Sequence, residues 1–113
     1  MTEWEIAVQA AQSRKAEGIV ALDISKVCSF TDVFIVCNGS NTRQNQAISD
    51  VIQTELRDEG LRPLGIEGYQ NAVWILLDYG HFVIHVLSPE TRELYDLERL
   101  WRNAPRIPVP EAA

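Results

Sequence analysis

The chain has 113 residues, 46% of them hydrophobic and 23% charged, which fits one globular domain. Ten Lys plus Arg against sixteen Asp plus Glu leave a net charge of −6, a balance that excludes a protein whose main task is gripping nucleic-acid phosphates. No apolar run approaches the roughly 20 residues of a membrane span, and the Met1-Thr-Glu-Trp-Glu5 start has no secretory or organellar leader pattern, so a cytoplasmic location without membrane contact is expected.

Thr2 and Glu5 have capping-box spacing, and Trp4, Ala7, Val8 and Ala11 recur on one helical face. A first helix is therefore predicted, with Gly18 as its stop. Ile19–Ile24 and Asp32–Asn38 are short, apolar and β-branched, and read as strands. Cys28 and Cys37 match no CxxC pair and no zinc set, so they are expected to be buried thiols. Gly39-Ser-Asn-Thr42 is a turn that supplies cap residues for a helix with Ala47, Ile48, Val51, Ile52 and Leu56 on one stripe and Gly60 as its stop. Leu61–Gly68 is broken by Pro63, Gly65 and Gly68, which allows at most an edge strand. Val73–Asp78 and His81–Leu87 flank Tyr79-Gly80, a hairpin signal. Ser88-Pro-Glu90 opens a helix that should run through Leu94 and Leu97 toward Trp101. Residues 105–113, with Pro105, Pro108 and Pro110, read as a flexible tail behind a single domain over 1–104. The order αββα(β)ββα predicts an α/β fold, a mixed β-sheet flanked by helices, with a right-handed crossover through residues 42–60.

The hairpin carries the most functional information. With Tyr79-Gly80 as a two-residue turn, Asp78 faces His81 and Leu77 faces Phe82. Alternation then puts Val73, Ile75 and Leu77 beside Phe82, Ile84 and Val86 on an apolar face that must be core. The opposite face is mixed, with Trp74, Leu76 and Asp78 beside His81, Val83 and His85. Either another helix covers it, or it is a docking surface with Trp74 as anchor. His81 and His85 stand about 13 Å apart along the strand, too far to share a metal ion, and an Asp78–His81 hydrogen bond at the hairpin mouth would be worth little.

Gly39-Ser40 lies where a nucleotidyltransferase would hold a triphosphate, between a strand and a helix. That chemistry also needs paired carboxylates for two metal ions, and here Asp50 stands alone with no Asp-x-Asp anywhere. There is no Walker loop and no GxGxxG. The chain is accordingly expected not to be an enzyme and to use no cofactor or metal; a nucleotide-binding enzyme built on the Gly39-Ser40 turn is the alternative.

Seven stretches together resemble one family: Ala21-Leu-Asp-Ile-Ser25, Thr31-Asp-Val-Phe-Ile-Val36, Gly39-Ser-Asn-Thr-Arg-Gln44, Glu67-Gly-Tyr69, Trp74-Ile-Leu-Leu-Asp-Tyr-Gly80, Val83-Ile-His-Val86 and Tyr95-Asp-Leu-Glu-Arg-Leu-Trp101. In this order they are similar to the ribosomal silencing factors, the Iojap-related proteins. The resemblance implies a nucleotidyltransferase-like fold without catalytic carboxylates. It also implies binding to the large ribosomal subunit through its L-fourteen ribosomal protein, so that the small subunit cannot join and translation falls when nutrients are scarce. A bacterial protein with no primary nucleic-acid contact is expected. Trp74, Asp78 and Tyr79 match family positions tied to docking, and Leu76 shares the mixed face with Trp74 and Asp78. Tyr95 and Glu98 fall in the second signature block. Many members carry an acid where this chain has His81, so pH-sensitive docking is a further expectation. A module whose exposed face forms a homodimer is the remaining reading.

Overall fold

The computed structural model describes residues 1–96, 99 and 102–110. Helix α1 (Glu3–Ser13) opens on the expected capping box: the Glu5 N–H donates to the Thr2 hydroxyl while the Glu5 carboxylate accepts from the Thr2 N–H at 2.9 Å. The helix stops before Gly18. Lys15, at φ +59°, takes the left-handed turn that glycine usually fills, and Gly18, at φ +58°, instead sits where the register of strand β1 (Glu17–Asp23) slips. Strand β2 (Val33–Asn38) is almost wholly buried.

Asn41 caps helix α2 (Thr42–Asp58), and Gly60, at φ +85°, follows its end. Its inner stripe includes two polar residues, Asn45 and Ser49, besides Ile48, Ile52 and Leu56. Asn45 has no exposed surface and both ends of its amide are engaged: its Oδ1 accepts from the Gly39 N–H at 2.9 Å and its Nδ2 donates to the Ala72 carbonyl at 2.7 Å. It ties the end of β2 to the loop before the hairpin.

Strands β3 (Gly65–Glu67), β4 (Trp74–Asp78) and β5 (Phe82–Leu87) follow, then helix α3 (Pro89–Tyr95), capped by Ser88 with Pro89 in its first turn. Strand β6 (Arg106–Ile107) completes a six-stranded sheet of order β3-β4-β5-β2-β1-β6. β2 and β5 are parallel, and the other neighbouring pairs are antiparallel. The predicted α/β class with a mixed sheet is therefore observed. α1 and α2 cover one face, burying Ala7, Val8, Ala11, Ile48, Ile52 and Leu56 against Ile35, Cys37, Ile75, Leu77, Ile84 and Val86. Cys37 is the buried thiol expected, its pKa pushed up to about 12 by burial; Cys28 is half-buried.

Two expectations are corrected. Residues 105–110 do not trail as a flexible tail. β6 pairs with Ala21 and Leu22 of β1, Ile107 and Val109 pack on the core, and Gln12 Nε2 donates to the Pro110 carbonyl. Prolines suit an edge strand because one side of its backbone needs no N–H partner. The hairpin turn is also displaced by one residue. Tyr79 N–H donates to the Phe82 carbonyl at 3.0 Å, so Gly80-His81 forms the turn, and Asp78 pairs with Val83 and Leu77 with Ile84. Gly80, at φ +88°, takes the first turn position, where a positive φ is needed, and Tyr79 is spared it. The register moves by two residues, so side chains keep the faces expected of them. Val73 is the exception: it lies outside β4 and is 46% exposed. A helix running unbroken from Ser88 through Leu97 is not observed: α3 ends at Tyr95, where Asp96 turns into the left-handed region at φ +45° and donates its N–H to the Arg92 carbonyl; Leu97 and Trp101 themselves lie outside the described residues.

Candidate docking site

The second face of the sheet is only partly covered. Leu22, Ile24, Phe34 and Val83 form a small cluster under Cys28 and Ala104, while Trp74, Leu76 and Asp78 of β4 stay half-exposed beside them. Among the described residues the cover comes from Cys28 and Ala104, which lie outside helices, and the rest of the face is half-open.

Trp74 rests on Val36 and Leu87, and its ring centroid lies 5.0 Å from that of Tyr95 in α3, which is 52% exposed. The pair is an aromatic step with one side packed and one side open. The Trp74 indole donates to Nδ1 of His85 at 3.1 Å. An indole N–H can only donate, so the His85 proton must sit on Nε2. Nε2 is buried and has no hydrogen-bond partner among the described residues. His85 is 4% exposed, its ring 4.5 Å from Phe34, and burial pulls its pKa down to about 4.

A neutral buried histidine has a measurable consequence. The unfolded chain takes up this proton near the ordinary value of 6.5, the folded chain only near 4. Between those values the unfolded state binds more protons, so stability falls as pH falls, by about 1.4 kcal/mol per pH unit and roughly 3 kcal/mol in total. Urea-unfolding midpoints measured from pH 7 to 5 should fall more steeply for the wild type than for His85→Phe; equal slopes would refute the burial effect.

The residues expected to contact a partner divide. Trp74, Leu76, Asp78 and Tyr95 come together. Tyr79 does not join them: it is 7% exposed, stacked on Phe82 with centroids 5.2 Å apart, inside the core under α1 and α2. Strand alternation continued one residue past Leu77 and Asp78 puts it on the inner side. Its hydroxyl has no partner among the described residues, and burial raises its pKa to about 12. Tyr79→Phe removes an unpaired buried hydroxyl, so a thermal melt should show unchanged or higher stability, by about 1 kcal/mol at most; a clear loss would mean that the hydroxyl is paired. Glu98 lies outside the described residues. Asp78 does not bond His81 either: its Oδ1 accepts from the Gly80 N–H at 2.8 Å, and the exposed His81 lies 3.9 Å from Asp32.

Next to Leu76 and Asp78 the face sinks into a pocket of about 290 Å³. Phe34, Leu76 and Val83 make it apolar, His85 lines it, and Phe30, 71% exposed, stands at its side. Glu67 of β3 and Asp78 bring carboxylates to it. Sequence reasoning missed Phe30 and Glu67; the available signal was an aromatic residue within an otherwise polar link. The Gly39-Ser40 turn, by contrast, has its donors occupied. Gly39 N–H goes to Asn45, Ser40 N–H and hydroxyl go to Gln44 Oε1 at 2.7 and 2.6 Å, and Asn41 caps the helix. A phosphate there would have to displace this chain's own side chains. Among the described residues no three His, Cys, Asp or Glu cluster to hold a metal ion.

The sequence profile of a family described as "Ribosomal silencing factor during starvation" matches residues 2–113. A protein named ribosomal silencing factor RsfS from Halalkalibacterium halodurans is 36% identical over 91% of this chain and 88% of its own length. One of the same name from Bacillus subtilis is 37% identical over 89% and 86%. A crystal structure of a Chromobacterium violaceum protein superposes with a TM-score of 0.85 at 34% identity, covering 100% of this chain and 93% of that one.

Proposed function

The chain belongs to the ribosomal silencing factor family, and on that premise we propose that it binds the large ribosomal subunit through the L-fourteen ribosomal protein and keeps the small subunit from joining. Translation then falls when nutrients are scarce. The observation that carries this reading is the half-open aromatic step of Trp74 and Tyr95, with Leu76 and Asp78 on the same rigid sheet face. Large aromatics with one face packed and one face open are typical interface anchors, because little conformational freedom is left to lose on binding. The net charge of −6 suits approach to a basic ribosomal protein rather than to RNA.

The mechanism needs no bond to be made or broken. A domain about 30 Å across excludes a second body from the same surface by volume alone. A docked area of about 800 Å² on each side would give a stable, reversible complex. Sedimentation with separated subunits tests the first step. The protein should pellet with large subunits and stay behind with small ones; pelleting with small subunits alone, or with neither, would refute it.

A further inference from the structure

We propose that the pocket lined by Leu76, Val83, His85, Glu67 and Asp78 receives one lysine or arginine residue of the basic protein on which this domain docks. The inference rests on the reading above and specifies the chemistry of its central contact.

Three features of the pocket each define a part of the occupant. Its volume of about 290 Å³ lies at the small end of ligand clefts, and its walls of Phe34, Leu76 and Val83 call for an apolar stem. Glu67 and Asp78 add two carboxylates, and neither is paired with a cation among the described residues. Two carboxylates beside an apolar wall favour a cationic group carried on an apolar stem. His85 adds the third feature. Its Nδ1 is taken by Trp74, and Nε2–H is a buried donor without an acceptor, which a carbonyl oxygen brought by the occupant would satisfy.

An apolar stem, a cationic end and a carbonyl oxygen occur together in a lysine or arginine within a polypeptide. An alkylamine lacks the carbonyl. A nucleotide would bring its phosphates against two carboxylates. Phe30, exposed beside the pocket, offers the incoming cation an aromatic face as well. The anchor step of Trp74 and Tyr95 adjoins the pocket through the Trp74–His85 bond, so one docking event would fill both.

The test uses small probes on the full chain, followed by amide NMR. N-acetyl-arginine methylamide and N-acetyl-lysine methylamide should give saturable shifts at Leu76, Asp78, Val83 and His85. N-acetyl-norleucine methylamide, which lacks the charge, and n-butylammonium, which lacks the carbonyl, should each bind at least about tenfold more weakly. Glu67 is exposed, so Glu67→Gln and Glu67→Lys should fold; the first should weaken arginine-amide binding about threefold and the second at least about tenfold. Glu67→Lys should also weaken association with large subunits. Equal binding of the norleucine probe, binding of guanosine in place of the cations, no localised shifts, or indifference to Glu67→Lys would each overturn the proposal. If the wild-type chain fails to pellet with large subunits, the docking reading fails, while the probe titrations still decide the chemistry of the pocket.

Discussion

Trp74→Ala is expected to abolish measurable association with large subunits, by about a hundredfold or more, while the domain stays folded. Truncating a central interface tryptophan typically costs about 2–4 kcal/mol of binding free energy. The cost to the fold is smaller than for a core tryptophan, because the ring, packed on Val36, Leu87 and Tyr95, stays half-exposed. It is not zero, since removing the indole strips His85 Nδ1 of its donor and leaves a buried acceptor unpaired. Two companion variants keep the test decisive. Trp74→Phe retains an aromatic ring but not the N–H, and should keep much of the docking with a modest stability loss. Tyr95→Ala removes a side chain that is 52% exposed and not needed by the core, and should weaken docking with the melting temperature unchanged. Full docking by Tyr95→Ala, together with unfolding of Trp74→Ala, would make the aromatic step structural.

Gly68→Ala should have the largest effect on stability, at least about 3 kcal/mol, enough to lose a cooperative unfolding transition. Gly68 sits at φ +79°, and a Cβ there would come 2.0 Å from the Trp74 carbonyl oxygen and 3.1 Å from its carbon. Both are backbone atoms of β4, so no side chain can move aside to relieve the clash. The segment cannot readily drift away either. Gln46 Nε2 donates to the Tyr69 carbonyl at 2.9 Å, the Tyr69 hydroxyl donates to Asp50, and Asn45 holds the Ala72 carbonyl. Gly65→Ala is the control: it has no positive φ and nothing within 4 Å of the new Cβ, so it should melt like the wild type. Urea unfolding of both variants checks this, and a Gly68→Ala protein as stable as the Gly65→Ala control would contradict it.

The legible parts of this fold were those that local chemistry dictates. The Thr2-Glu5 box, the Asn41 cap and the Ser88-Pro89 pair each open a helix at the expected start, although α3 stops at Tyr95, short of its expected end. Apolar β-branched runs marked β1, β2 and β5, and Trp74, Leu76 and Asp78 lie on the face that alternation assigned to them. The errors came from choices that only tertiary context settles. Lys15 took the left-handed position, which freed Gly18 for the irregularity in β1, and nothing local distinguishes the two. A tyrosine before a glycine reads locally as a turn residue, but the core has room for the Tyr79 ring against Phe82. Residues 105–110 looked unstructured because their partner strand, β1, is more than 80 positions earlier in the chain. The pocket was hidden for the same reason: Phe30, Glu67 and His85 come from three separate segments.

Subunit joining tests the central claim most directly. Purified large subunits are saturated with the protein, small subunits are added, and the yield of joined ribosomes is followed by light scattering. Joining should fall in proportion to the fraction of large subunits occupied, and Trp74→Ala should restore it. Full joining with the protein still bound to the large subunit would contradict the account, because a body docked away from the joining face cannot exclude the partner by volume.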